Sequence, residues 1–239
     1  IASLSQLKET IPVHIHIAEQ LKEVEDAKVY LNARPVEWLL TNCAVNENFH
    51  LVHATHLTSS EVKGIADAGA HVVLCPSTEG NLGDGLFPLQ EFQSLNGKWS
   101  IGTDSHVGIN PLEELRLLDY GQRLTTHRRN IYQSKDELDS GKYAYNQALL
   151  SGRKAMGNSN QKYFEIGQSF DAVVYNAQNP LFATSSFNTL LSTIIYCGDT
   201  STSLGTLING QWVIKNGKHI DSENITKAFI NTLNSLGIR

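Results

Sequence analysis

Cysteine, methionine, basic charge and long apolar runs are all scarce in this sequence, and each shortage narrows what the protein can be. The three cysteines, Cys43, Cys75 and Cys197, lie far apart and form no CxxC pair. A disulfide framework is therefore not expected; buried free thiols, a reducing compartment and a cytoplasmic location are. No apolar stretch reaches the roughly 18 residues that a membrane-spanning helix requires, so no membrane partner is expected. The opening IASLSQLKET has neither the charged n-region nor the apolar h-region of a secretory signal. Nineteen Lys plus Arg stand against 24 Asp plus Glu, a net charge of −5. That balance argues against nucleic acid as a partner, since no basic excess is there to displace counterions. The one methionine is Met156 and not an initiator, so the chain reads as a portion of a longer polypeptide. Within its 239 residues, 18% charged and 41% hydrophobic make an ordinary globular mixture.

The first ~105 residues repeat one pattern, in which a β-rich run is followed by a polar tail and then a helical segment. IPVHIHIA (11–18) precedes EQLKEVEDAKVYL, and Pro35 opens a further helix, PVEWLLTN, where a first turn tolerates it. HLVHA (50–54) precedes a helix whose start is marked by Thr58 with Glu61, a capping box, and whose end is marked by Gly69. HVVLCP (71–76) leads into STEGNLGDG, whose glycines predict a loop. KWSIGTD (98–104) leads to Asn110-Pro111 and the long helix LEELRLLDYGQRL. Strands alternating with helices predict βα units and a parallel sheet. From about residue 165 the pattern changes. FDAVVY (170–175) alternates like a strand, and Asn-Gly pairs at 209–210 and 216–217 predict antiparallel hairpins. The end places Ile225, Phe229, Leu233 and Leu236 on one helical stripe.

Four parallel strands cannot close a barrel and leave unpaired edges. Where such strands belong to a βα barrel, the chemistry gathers at their C-terminal ends. Those ends carry His14, His16 and Glu19 on the first run, His53 and His56 on the second, and Asp104, Ser105 and His106 on the fourth. Imidazoles with a carboxylate suit a borderline metal such as zinc. His14 and His16 share one face of their strand. His16 is nearer the rim, which leaves His14 as a deeper, hydrogen-bonded residue. His53 is preferred over His56 as the one closer to regular strand, although periodicity does not decide between them. His106 has the parity of Asp104 and is a supporting candidate. Glu79 and Asp84 read as solvated loop residues, and His50, His71, His127 and His219 as surface or packing residues.

The phrases HIHIAE, LVHATH, LCPSTEGNLGDG and IGTDSH, in that order, resemble the amidohydrolase superfamily of metal-dependent barrel hydrolases. The resemblance implies the second half of a (β/α)8 barrel in residues 1–160, which supply strands five to eight. Residues 161–221 would add strands of a small β-sandwich domain, and residues 222–239 a C-terminal helix. It further implies that His16 and Asp104 are ligands of one zinc ion, that the family's strand-one HxH pair lies outside this chain, and that Glu19, His53 and Asp104 are catalytic. Within the superfamily the likeness is greatest to the N-formimino-L-glutamate deiminase family. HIHIAEQ, RPVEWLL, TEGNLGDG and GTDSHV with PLEELRLLDYGQRL carry it, from about residue 11 to residue 130.

The reaction implied by this likeness is hydrolytic deimination of N-formimino-L-glutamate to N-formyl-L-glutamate and ammonia, a small-molecule step of histidine degradation. A homodimer is a possible assembly. Two alternatives stay open. One is another amidohydrolase, such as an imidazolonepropionase or an aromatic-base deaminase. The other is a truncated piece without activity.

Overall fold

A computed structural model describes residues 11–158, residue 160 and residues 162–237. By its internal contacts the chain divides into two units, Ile1–Gln161 with Ser186–Tyr196, and Lys162–Ser185 with Cys197–Arg239. Ser186–Tyr196 thus groups with the first unit, although it falls inside the stretch 161–221 assigned above to the second.

The first unit is built on four parallel strands in the order β1-β2-β3-β4. They are β1 (Val13–Ile17), β2 (Phe49–His53), β3 (His71–Leu74) and β4 (Lys98–Ile101). Helices α1 (Leu21–Leu31) and α2 (Pro35–Asn42) connect β1 to β2, and α3 (Ser59–Asp67) connects β2 to β3. Then come α4 (Pro76–Leu82) and α5 (Leu89–Ser94) before β4, with α6 (Pro111–Thr126) and α7 (Ser140–Ala155) after it. The expected starts hold: Pro35 opens α2, Thr58 and Glu61 form a reciprocal capping box on α3, and the Asn110 side chain accepts from Leu112 N–H at the start of α6.

STEGNLGDG is not wholly a loop. Its first part lies in α4, which begins on Pro76 and ends at Gly83 in the left-handed region (φ 71°). A proline at the first helical position and a left-handed glycine beyond the last outweigh Gly80, whose interior penalty is only about 1 kcal/mol. Helix α7 had no signal strong enough to be read. It depends on Gly141, where a side chain would collide with the backbone of Ser192.

Strand register assigns two unlike faces. Leu51, Val72 and Trp99 are register partners across β2, β3 and β4. They pack with Val36, Leu39, Val62, Ile65, Phe92 and Leu115 from the helices into the apolar core. Trp99 stacks on Tyr132 at 5.4 Å, and the Tyr132 hydroxyl donates to Leu115 O (2.9 Å).

The opposite face carries a row of histidines. His14, His50 and His71 are successive register partners, with ring centroids 5.0 Å apart at each step. His14 is exposed and not deep as expected, and its Nε2–H donates to Ala155 O (2.9 Å) at the end of α7. His50 and His71 are buried, and none of their ring nitrogens has a hydrogen-bond partner among the described residues.

The second unit holds β5 (Ala172–Tyr175), β6 (Ser203–Ile208), β7 (Gln211–Lys215) and β8 (Lys218–His219) in antiparallel order. Both Asn-Gly pairs lie in the left-handed region, as two-residue hairpins of this hand require. The last described helix is α8 (Ser222–Ser235); Ile225 and Phe229 on its apolar stripe are exposed, Phe229 at 62%, and Leu233 is half-buried. Of the three free thiols only Cys75 is buried; Cys43 is half-buried and Cys197 exposed, contrary to the expectation of three buried ones.

Burial holds His50 and His71 neutral. It lowers His50 to about 3, helped by His71, His14 and Lys154. It lowers His71 to about 4, helped by Lys154 and Lys98 and opposed by Glu47. The unfolded chain binds these protons near pH 6.5 and the folded chain does not. Acid therefore favours unfolding as pH falls through 6.5 towards those lower values. Going from about pH 7 to about pH 5 should remove about 2 kcal/mol of stability per imidazole. Urea unfolding followed by tryptophan fluorescence should show that loss, and His71→Phe should recover about half of it. Equal stability at both pH values would contradict a buried, neutral histidine row.

Candidate functional site

Loop amides continue the pairing beyond the strands, between β1 and β2 and between β3 and β4. Ala54 N–H donates to Ile17 O (3.0 Å), His56 N–H to Ala18 O (3.0 Å) and Gly102 N–H to Leu74 O (2.9 Å). Around these bonds the backbone turns sharply, with φ of 51° at Ala18, 65° at His53, 49° at Ala54 and 45° at Asp104. Left-handed backbone is uncommon for residues other than glycine, and each such position costs about 1–3 kcal/mol. Strain of this kind persists only where surrounding bonds enforce it.

The strained ends bring His16, His53 and Asp104 together. One ligand atom from each lies within 4.8 Å of the others. His16 Nε2 is 3.8 Å from Asp104 Oδ1, and His53 Nε2 is 3.7 Å from Asp104 Oδ2. The two imidazoles are tilted, with centroids 5.3 Å apart. Glu19 joins them, its Oε1 3.5 Å from His53 Nε2. The four residues singled out from sequence thus share one rim. His56, half-buried, and His106, exposed with φ 56°, do not belong to the group.

Several residues that hold the rim in place were not legible beforehand. The Glu23 carboxylate, in the first turn of α1, accepts from Ala18 N–H (2.7 Å) and Glu19 N–H (2.9 Å), which fixes the backbone that carries Glu19. Thr78 on α4 does the same for the loop after β4. Its hydroxyl donates to Thr103 O (3.1 Å), accepts from Ser105 N–H (3.2 Å) and lies 2.9 Å from Ser105 Oγ. Glu79 and Asp84, expected to be solvated, are 4% and 7% exposed. Glu79 Oε1 lies 3.2 Å from His53 Nδ1 and accepts from Cys75 N–H (2.8 Å). Asp84 Oδ1 accepts from the Gln20 side chain (3.1 Å). Helix α4 turns Glu79 inward, and the left-handed Gly83 just beyond it leads the chain into Asp84, whose amide donates to Glu79 O (2.9 Å).

The electrostatics result from this crowding. Burial opposes protonation of His53, but the hydrogen bond it donates to Glu79 and the charges of Glu19, Glu79 and Asp104 outweigh it and raise its pKa. Glu19 is also raised, first by burial, then by the nearby charges of Asp84 and Asp104, with His53 and His16 pulling the other way. Burial pushes the Cys75 thiol well above its usual range, so it is no nucleophile here.

Residues 3–213 match the model of the amidohydrolase family, and the chain belongs to that family. It is 39% identical over 226 residues to the formimidoylglutamate deiminase of Pseudomonas aeruginosa, covering 95% of this chain and 50% of that protein. It is 28% identical over 229 residues to a 5-methylthioadenosine/S-adenosylhomocysteine deaminase of Pyrococcus furiosus, covering 93% and 52%. The solved structure of an amidohydrolase from Brucella melitensis superposes with a TM-score of 0.86 at 36% identity, covering 98% of this chain and 51% of that one. The chain spans about half the length of the relatives it matches.

Thr78→Val should free the loop that carries Asp104. With the partners of Thr103 O and Ser105 N–H gone, local opening should become easier by about 1–3 kcal/mol. Amide hydrogen exchange at Ser105 reads this directly, and unchanged protection would show that Thr78 does not hold the loop.

Proposed function

We propose that this chain is the later half of a (β/α)8 amidohydrolase barrel with strands of a β-sandwich domain attached, and that the longer protein hydrolyses N-formimino-L-glutamate to N-formyl-L-glutamate and ammonia. The observation that carries this reading is the convergence of His16, His53, Asp104 and Glu19 at the C-terminal ends of β1, β2 and β4. Among the described residues β1 and β4 are the edge strands of the sheet, which supports the barrel, because a parallel edge is a pairing template that a closed barrel removes. The likeness to a formimidoylglutamate deiminase supports the substrate.

The residues also fit a divalent cation. Zinc takes imidazole nitrogen and carboxylate oxygen at about 2.0–2.2 Å. Ligand atoms 3.7–3.8 Å apart need only small side-chain rotations to share one ion. His16 and Asp104 would hold it, together with ligands from outside this chain. When bound, such an ion acts as a Lewis acid and lowers the pKa of a water towards ~7.

The chain's own residues supply the remainder. Asp104 accepts the proton of the attacking water as the oxygen bonds to the formimino carbon. His53 Nε2, which has no hydrogen-bond partner among the described residues, hydrogen-bonds the oxygen at that carbon and orients it. As the oxygen–carbon bond forms, the C=N π pair moves onto the terminal nitrogen, which Glu19 protonates. When the C–N bond then breaks and the C=O bond closes, the proton held by Asp104 passes to the departing nitrogen, neutral ammonia leaves, and the hydroxyl proton restores Glu19. Its raised pKa suits a group that must give up a proton near neutrality.

In the longer protein Glu19→Gln should keep its metal and lose turnover by about 10²–10⁴-fold. Metal content and ammonia release, measured together, check this, and turnover near that of the unmutated protein removes Glu19 from the mechanism. Side-by-side assays with N-formimino-L-glutamate and 5-methylthioadenosine should show release from the first alone. Release only from the second would reassign the substrate.

A further inference from the structure

The geometry points to Glu79 as a positioning residue that fixes which ring nitrogen of His53 carries the proton. This inference rests on the proposed role of His53 at the rim, but its consequence can be read in the folded chain without any turnover.

His53 is fully buried and lies between carboxylates on both sides of its ring. On one side Glu79 Oε1 is at hydrogen-bond distance from Nδ1, 3.2 Å. On the other, Glu19 Oε1 and Asp104 Oδ2 lie 3.5 and 3.7 Å from Nε2, and neither makes a hydrogen bond with it. A neutral imidazole has one N–H, so the two sides compete for it. Glu79 prevails because its oxygen is in place. The Cys75 amide donates to the same oxygen at 2.8 Å, and Glu79 sits in the four-residue backbone step from Cys75 that opens α4. The proton therefore stays on Nδ1 and the Nε2 lone pair faces the rim, where it can accept from a water lying between Glu19 and Asp104. Without Glu79 the two rim carboxylates would draw the single N–H to Nε2, leaving no lone pair for water.

Nitrogen-15 NMR of the histidine side chains in the 239-residue chain tests this, with His53 identified by the signals lost in His53→Gln. At a pH well above the range in which imidazoles titrate, His53 should show a protonated Nδ1 and an unprotonated Nε2. The same measurement on Glu79→Leu should show the Nε2–H form enriched on the order of tenfold to a hundredfold, which is the worth of one charge-assisted hydrogen bond. Glu79→Gln, whose amide oxygen can still accept from both N–H groups, should retain the original tautomer. A role for Glu79 in folding alone would leave the tautomer of Glu79→Leu unchanged, and that result overturns the assignment. So does an Nε2–H form in the unmutated chain, which needs no variant to fold. If the tautomers behave as described while the longer protein releases no ammonia from N-formimino-L-glutamate, the positioning role stands and the proposed reaction falls.

Discussion

The imidazole of His53 has no solvent exposure, and three carboxylates surround it. Of the three only Glu79 is itself buried, but like charges crowded against one buried ring are costly unless a counter-charge or donor compensates them. Here the compensation comes from a small set of groups, and the rim is arranged around them. Glu79 is met by the Cys75 amide and the His53 ring. Glu19 and Asp104 face His53 and His16 across gaps of 3.5–3.8 Å. Those gaps are too long for direct hydrogen bonds and suit a small polar ligand or a cation between the groups. The left-handed residues at the strand ends have the same origin, since the backbone bends where it must to bring these groups to one place.

The two ends of the parallel sheet treat histidine in opposite ways. At the C-terminal ends, carboxylates surround His53 and make it more basic. Towards the other end, His50 and His71 meet one another and the cations Lys154 and Lys98, and burial makes them much less basic. Sequence position alone does not distinguish these environments. His50 and His53 lie on the same short strand, three residues apart. What separates them is register, because His50 pairs with His14 and His71 while His53 occupies the last position before the chain turns. A functional histidine and an inert one can therefore share a five-residue strand.

Much of the fold was readable from the amino acids. Alternating β-rich and helical segments with proline and capping signals located the four strands and α2, α3 and α6, because those signals act within a few residues. The Asn-Gly pairs located the hairpins for the same reason. Strand-end position offered His14, His16, Glu19, His53, His56, Asp104, Ser105 and His106, the family resemblance singled out His16, Glu19, His53 and Asp104 among them, and those four lie on one rim. Less legible was whatever depends on distant packing. Glu79 looked solvated because its neighbours are glycines, and only the fold of α4 back against β2 turns it inward. Glu23 and Thr78 are ordinary helix residues whose importance appears once the loops they hold are in place. The left-handed backbone at Ala18 has no local signal at all, since alanine has no preference for it. Helix α7 was missed because its packing on β4 and Ser192 is non-local.

Mechanism and substrate both require that these strand ends form one cation site. Anomalous scattering at the zinc absorption edge, from crystals of the chain grown with zinc, would locate the ion. A single strong peak is expected at about 2.0–2.2 Å from His16 Nε2 and from a carboxylate oxygen of Asp104, with His53 alongside. Side chains of His16, His53 and Asp104 too far apart to share an ion, or zinc bound only elsewhere, would contradict the proposed site.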